Sequence, residues 1–313
     1  MTRKQKAVAA VTAILGLGLL LAPFIPVWLF WHRIHQFEPA ADVSDAWHFR
    51  EPDDLMRTGT NVGIRYSGNP AIRDLLGGTV SGLFSDVDAV SISNLNCEKL
   101  NALQFVSETR MLRLAAPVGS NCADFTSPPF DRLEVLSLER TGLGDAVLDQ
   151  LAAGGNLKFL QLQNEGAISN EALHRAVRNS QLGHLVLRDV PGIDGQFFDA
   201  TQTLSGLQSI TLGGDQFGDA TAIQLAEIDS LAEAQFLYAA LTDEGVRRLS
   251  KRQTLRSLLI SDCPITDASI AHLIAMPNLE WLILRADISD EAIEKFRTVR
   301  PDCQLTAGRP FNK

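Results

Sequence analysis

Hydrophobic residues recur along most of this chain in one short pattern. An apolar residue is followed by two variable residues, a second apolar residue, one variable residue and a third apolar residue, as in LEVLSL and LEWLIL. Successive copies begin 22 to 25 residues apart, and a near-constant period of this length indicates stacked repeats. The nine copies begin at Val87, Thr109, Leu133, Leu157, Leu182, Leu207, Leu231, Leu255 and Leu279.

The second half of each repeat has a pattern of its own. In the copy that begins with LRSLLI, the apolar Ile265 is followed by Thr266 and Asp267, whose side-chain oxygens suit the start of a helix. Ile270 and Leu273 then follow at helical spacing and predict a short helix with one buried stripe. Each repeat is therefore predicted to consist of a strand, a turn, a short helix and a loop.

Repeats of this kind bury their apolar faces only by stacking on one another. The sequence therefore predicts an α/β fold in which residues 87–302 form a curved solenoid, with a parallel sheet on its concave side and short helices on its convex side. Residues 303–313 begin with a truncated tenth strand and are predicted to form a C-terminal cap. Residues 32–86 contain several prolines and glycines and are predicted to be a spacer and an N-terminal cap, with Trp47, Phe49 and Leu55 as cover and one helical turn at 71–76.

An uncharged, apolar run occupies residues 7–31. It is long enough to cross a bilayer, which takes about 20 helical residues. A buried core helix would show polar residues at helical spacing, and a cleaved signal peptide would have a shorter apolar region and a small-residue cleavage site. We therefore favour an uncleaved transmembrane signal-anchor helix over those two alternatives. Three basic residues precede the run and acidic residues follow it, which predicts cytoplasmic residues 1–6 and an exported repeat body.

The charge of the chain argues against some classes of partner. The net charge is −9, and all 37 acidic residues lie after His35. From Gln36 onward there are 24 basic residues against these 37, a net charge of −13 with His neutral. Nucleic-acid binding requires a basic face, and an acidic body is also repelled by anionic lipid. The sequence therefore predicts no nucleic-acid partner, and membrane association through the N-terminal helix alone.

The run ITDASIAHLIAMPNLEWLILRADISDEAIEKF, residues 265–296, resembles leucine-rich repeats whose helices start with Ile-Thr-Asp. Such repeats occur in F-box-associated proteins and in many bacterial membrane or exported proteins. The resemblance implies the solenoid fold and a role in binding other proteins, without identifying the partner. No F-box-like helical segment is present, so the resemblance does not favour a ubiquitin-ligase adaptor.

Cysteine and histidine residues give no sign of catalytic or metal chemistry. The six histidines are scattered, and none lies in a known metal or nucleophile motif, so neither an enzyme nor a cofactor is predicted. Cys263 and Cys303 are expected to be too far apart to pair and to have structural roles. Cys97 and Cys122 follow adjacent predicted strands and could form a disulfide if the body is exported.

A candidate binding surface follows from the alternation of side chains along each strand. The third, fifth and seventh positions of a repeat point out of the concave side. Apolar residues and one arginine gather there near the C-terminal end, namely Leu237, Leu259, Trp281, Ile283 and Arg285. Exposed tryptophan and arginine are enriched in protein interfaces. The alternatives are that the C-terminal cap covers this group or that its members are ordinary scattered surface residues.

These observations favour a non-enzymatic, membrane-tethered scaffold that binds a protein partner on the concave side. A structural or self-associating envelope protein with no specific partner is the alternative. An enzyme is disfavoured because no acid–base pair and no nucleophile with an orienting base is evident.

Overall fold

The structure, a computed structural model, describes residues 62–67, 86–92, 109–122, 125, 130–178, 180–195 and 204–310. In this part of the chain, eleven strands form one sheet in chain order. The strands are β1 Val62–Ser67, β2 Asp86–Ile92, β3 Met111–Ala115, β4 Val135–Glu139, β5 Phe159–Gln163, β6 His184–Arg188, β7 Ser209–Gly213, β8 Glu233–Leu237, β9 Ser257–Ser261, β10 Trp281–Arg285 and β11 Gln304–Gly308.

Strands β2 to β11 are parallel and pair without a register shift. From β3 to β10, every strand covers the third to seventh positions of a repeat. The alternation that predicts these strands is visible in their burial. In β5, for example, Leu160 and Leu162 are fully buried, whereas Phe159, Gln161 and Gln163 are partly exposed. A constant repeat length thus places equivalent residues side by side across the sheet.

Six short helices follow strands in the described part of the chain. Their buried residues recur at helical spacing, as Val246 and Leu249 do, and belong to the same hydrophobic core as the inward residues of the strands. Thr242 and Ser289 cap helices by accepting N–H groups of the first turn. The helices are α1 Asp145–Ala152, α2 Asn170–Arg178, α3 Asp219–Leu225, α4 Asp243–Leu249, α5 Ala268–Ile274 and α6 Asp290–Val299.

Carboxylates near the starts of the helices join neighbouring repeats. Asp243 accepts the Thr266 N–H at 2.9 Å and the Thr266 hydroxyl at 2.6 Å, and it also accepts the hydroxyl of Ser269. The equivalent pairs are Asp145 with Ser169, Asp219 with Thr242, and Asp267 with Ser289. A Ser or Thr that caps its own helix is therefore also held by the preceding repeat.

The N-terminal end of the sheet is covered by a strand that the sequence pattern did not predict. β1 lies within the segment predicted as spacer and cap, and it pairs antiparallel with β2. Its sequence VGIRYS contains the β-formers Val, Ile and Tyr but no repeat pattern, because a strand outside the repeats need not follow their period. Trp47, Phe49, Leu55 and residues 71–76 lie outside the described residues.

The C-terminal end carries the predicted tenth strand of the parallel series. β11 pairs with β10 so that Gln304 lies beside Trp281. Cys303 therefore occupies the second position of a repeat. Arg300 is buried before this strand and donates to the carbonyls of Ile274, Met276 and Leu279 and to the carboxylate of Asp302. These bonds attach the final turn to the loop that precedes β10.

The described architecture is that of a leucine-rich-repeat-like solenoid, with a parallel sheet on one side and short helices on the other. Within the described residues, no helix has both the length and the apolar character needed to cross a membrane. The predicted anchor at residues 7–31 lies outside them.

Candidate protein-binding site

The side of the sheet away from the helices is formed by the third, fifth and seventh positions of the repeats, and we call it the open face. Because the strands are in register, equivalent positions form three rows across it. The third-position row from β8 to β11 contains Glu233, Ser257, Trp281 and Gln304. The fifth-position row in the same strands contains Gln235, Leu259, Ile283 and Thr306.

Three of the five predicted site residues lie together on the open face. Ile283 is directly beside Leu259 in the sheet, and Trp281 is two residues before Ile283 on β10. Trp281 is 53% exposed, whereas Leu259 and Ile283 are half-buried. Neighbouring strands are about 4.8 Å apart and alternate residues of one strand about 6.6 Å apart, so these three side chains can contact one partner group together. We call Trp281, Leu259 and Ile283 the tryptophan patch.

Leu237 and Arg285 lie at the margin of this patch and not next to each other. Leu237 pairs with Ser261, and Ser261 pairs with Arg285, so one strand separates the two predicted residues. Leu237 is diagonal to Leu259 and extends the patch toward β8, whereas Arg285 follows Ile283 along β10. Arg285 is half-buried and already has an interaction partner within the chain.

Uncharged polar residues border the tryptophan patch. Ser257 lies on one side of Trp281 and Gln304 on the other, and Thr306 lies beside Ile283. An apolar centre with a polar rim is the usual composition of a protein interface. β11 flanks the patch in the plane of the sheet and leaves Trp281 exposed, so this part of the predicted C-terminal cap does not fold over it.

A second apolar row lies toward the N-terminal end of the open face. Met111, Val135, Phe159 and His184 are side by side at the third position of four successive strands. The ring centroids of Phe159 and His184 are 6.2 Å apart. The alternation of side chains along the strands predicts that these four residues point outward, but the sequence analysis did not single them out as a candidate site.

One residue after each of several strands has a left-handed backbone conformation, which the sequence did not predict. Tyr238, with φ of 52°, is the least expected of them because bulky side chains disfavour this region. Its N–H donates to the carbonyl of Ser261 in the next strand at 2.9 Å. The residues at this position from β4 to β9 are Arg140, Asn164, Asp189, Gly214, Tyr238 and Asp262, and each donates to the following strand in the same way. The left-handed conformation is thus required by the backbone geometry of the repeat and not by the type of side chain.

Glu165 is a carboxylate buried in the core of the solenoid. It accepts the N–H of Thr141 at 2.7 Å, the Thr141 hydroxyl at 2.9 Å and the N–H of Gly142 at 3.0 Å. Burial raises the pKa of Glu165, while these hydrogen bonds oppose the rise. All three donors belong to the preceding repeat, so Glu165 joins two repeats from inside and does not face the open side.

The cysteines divide into one bonded residue and two free thiols in the described part of the chain. Cys122 is disulfide-bonded, whereas Cys263 and Cys303 are buried and free, as expected. Burial raises the pKa of Cys263 to about 11, so its thiol stays protonated at neutral pH. Cys97, the partner considered for Cys122, lies outside the described residues.

Within the described residues, no group of three or more His, Cys, Asp or Glu side chains could hold a metal ion. Open cavities among these residues include the following two. One has a volume of about 470 Å³ and lies at the C-terminal end between α6 and β11. The other has a volume of about 510 Å³ and lies beside Val118, Arg140 and Asn164.

No protein-family model matches this chain, and no curated protein matches it. Among solved structures, it is similar to the crystal structure of an internalin (inlF) from Listeria monocytogenes, with 12% sequence identity and a TM-score of 0.27. The match covers 78% of this chain and 94% of the internalin chain.

Proposed function

We propose that this protein is a non-enzymatic, membrane-tethered scaffold that binds a protein partner through the tryptophan patch, with Leu237 and Arg285 at its margin. The observation that carries the proposal is the exposure of Trp281 on a regular sheet. Trp281 is 53% exposed beside two aliphatic side chains, instead of being buried in the core. Tryptophan contributes disproportionately to interface energies, and large exposed apolar groups on a rigid surface favour association.

The rigidity of the sheet supports this role. Leu259 and Ile283 are on strands that are hydrogen-bonded on both sides, so their backbone positions are set before a partner arrives. A preorganised surface loses little conformational entropy on binding, which leaves more of the contact energy for affinity. A protein partner fits this surface better than a small ligand because the patch lies on the open face and lines neither of the two cavities described above.

The membrane tether is proposed from the sequence. Residues 7–31 would anchor the chain, with residues 1–6 in the cytoplasm, 32–86 as spacer and cap, and the repeats outside. An exported body would place the disulfide-bonded Cys122 in an oxidising compartment, where disulfides persist. A reporter fused after Lys313 that is active only in the cytoplasm would contradict this orientation.

The experiment compares proteins captured from the source membrane and envelope fractions by detergent-solubilised baits. The test variant is Trp281→Ala with Leu259→Ser, which removes the patch without touching the core. The control variant is Ile223→Ala, because Ile223 is another exposed aliphatic residue, 40% exposed on α3. We expect one protein to be retained by the wild type and by the control, and lost with the double variant.

Circular dichroism of both variants checks that the fold is unchanged. A partner that binds the double variant as well as it binds the wild type would place the interface elsewhere. Equal loss with the Ile223→Ala control would indicate nonspecific apolar capture.

A further inference from the structure

The last strand of the described sheet has an unpaired edge. β11 pairs with β10 on one side, and no described residue pairs with its other side. Gln304 donates its N–H to the carbonyl of Glu280 at 2.8 Å, so Gln304, Thr306 and Gly308 direct their backbone groups toward β10. Leu305 and Ala307 alternate with them and therefore direct their N–H and C=O groups outward.

Within its five residues β11 has no charged side chain, proline or bulge to prevent pairing with another chain, although the strand is short and is flanked by Pro301, Asp302, Arg309 and Pro310. β11 has the sequence QLTAG, and its pairing with β10 is regular. Leu305 and Ala307 are only partly buried, and the 470 Å³ cavity beside Ile288 and Ile293 leaves the core open at this end. The outer edge of β11 and the core beside it are thus suited to binding another strand.

The free backbone groups define one register for a second copy of the same strand. In an antiparallel pair, a hydrogen-bonded pair of residues exchanges two N–H···O bonds. Placing Leu305 opposite Ala307 of the second copy, and Ala307 opposite its Leu305, uses every outward group of both strands. Thr306 then faces Thr306 across a two-fold axis, and the large Gln304 faces the small Gly308. The side chains are therefore complementary in size as well.

The charges on α6 agree with the same two-fold arrangement. Asp290 and Arg297 both line the C-terminal cavity and are seven residues apart, so they lie on one face of the helix. A two-fold axis perpendicular to the sheet makes the two α6 helices antiparallel. Asp290 of each copy then faces Arg297 of the other, which also pairs with Glu294 of its own helix, and the nearly buried Ile293 lies at the centre.

We propose that two copies of this chain associate through β11, antiparallel about a two-fold axis at Thr306, to form one continuous sheet. Because α6 connects β10 to β11, the two α6 helices then lie on the same side of the joined sheet. The open faces of both copies lie on the same side. The two Trp281 side chains are then on strands about 14 Å apart, from three strand spacings. The proposal does not depend on the tryptophan patch binding a partner.

Cross-linking of the full-length chain in detergent tests this arrangement. Thr306→Cys places two thiols across the axis, and Thr211→Cys is the matched control because Thr211 occupies the same repeat position on the central strand β7. Under mild oxidation, we expect Thr306→Cys to give a disulfide-linked species of twice the chain mass on a non-reducing gel. Thr211→Cys should remain at the mass of one chain.

Sedimentation of the full-length chain gives the second measurement. Thr306→Lys brings two like charges together at the axis, whereas Thr211→Lys adds the same charge away from it. We expect Thr306→Lys to weaken dimerisation at least tenfold and Thr211→Lys to leave it unchanged. A wild type that is monomeric, a Thr306→Lys variant that still dimerises, or equal cross-linking of both cysteine variants would each overturn the proposal. Cross-linking keeps the test valid if the lysine variant does not fold.

Discussion

Neighbouring repeats are joined by carboxylates in two different places. Between the repeats of β4 and β5, Glu165 lies in the core and binds backbone and hydroxyl donors of the preceding repeat. Between the repeats of β8 and β9, Asp243 lies at a helix start, partly exposed, and binds Thr266 and Ser269 of the following repeat. Carboxylates therefore join neighbouring repeats both in a buried site and in a partly solvent-exposed site. The free energy that each carboxylate contributes to folding should differ between the two sites.

The pKa values of the two groups already differ in direction. Burial raises the pKa of Glu165 more than its hydrogen bonds lower it. Burial also acts to raise the pKa of Asp243, but the hydrogen bonds from Ser269 and Thr266 exceed it, so the pKa lies below the usual value. Depth in the solenoid thus decides whether desolvation or hydrogen bonding dominates.

Removal of the buried carboxylate should have the largest effect. Glu165→Ala leaves two backbone N–H groups and one hydroxyl without their acceptor in the core, and each such group costs about 1–3 kcal/mol. We expect a loss of about 3 kcal/mol in the free energy of unfolding, measured by urea denaturation. The exposed Glu171→Ala on α2 is the control and should change stability by less than about 0.5 kcal/mol. Equal effects of the two substitutions would contradict the distinction between buried and exposed carboxylates.

Removal of the carboxylate at the helix start should have a smaller effect. Asp243→Ala takes an acceptor from Thr266, which is exposed and can bond to water instead, and from the hydroxyl of the buried Ser269. We expect a loss of about 1 kcal/mol, as for other helix-start bonds. Asp229→Ala is the control, because its side chain is 95% exposed and its ion pair with Arg252 should contribute little. A loss as large as that of Glu165→Ala would show that exposure does not matter here.

The dependence of stability on pH should have opposite signs for the two groups, and this is the smallest effect. The lowered pKa of Asp243 contributes to the free energy of unfolding above the ordinary carboxyl pKa of about 4. This contribution is lost as the pH falls through the folded-state pKa of Asp243. The contribution from the raised pKa of Glu165 is fully present below about pH 4 and is lost as the pH rises through the folded-state pKa.

The measurement is urea unfolding of the wild type, Asp243→Asn and Glu165→Gln between about pH 3 and pH 7. The advantage of the wild type over Asp243→Asn should grow with pH, whereas its advantage over Glu165→Gln should shrink. If the stability difference from the wild type changed with pH in the same direction for both variants, burial would not determine the sign of the pH dependence.

Part of the fold and of the candidate site could be predicted from the sequence. The repeat period predicted β3 to β10, because alternating apolar residues recur at one spacing and each repeat must stack in register. The same period places Leu259 beside Ile283 and Trp281 near both, as the structure has them. β1 was missed because it has no counterpart among the repeats, and Glu165 was missed because a lone acidic residue looks like a surface residue.

The sequence by itself determined the repeated unit, the alternation of inward and outward residues, and the row to which each outward residue belongs. These follow from local periodicities, of two in a strand and about 3.6 in a helix, which are readable along the chain. Only the tertiary structure decided which polar groups meet between repeats, such as Asp243 with Thr266, and that no described residue pairs with the outer edge of β11. Those contacts join residues more than twenty positions apart, and their strength depends on burial, which no single repeat possesses until its neighbours are stacked on it.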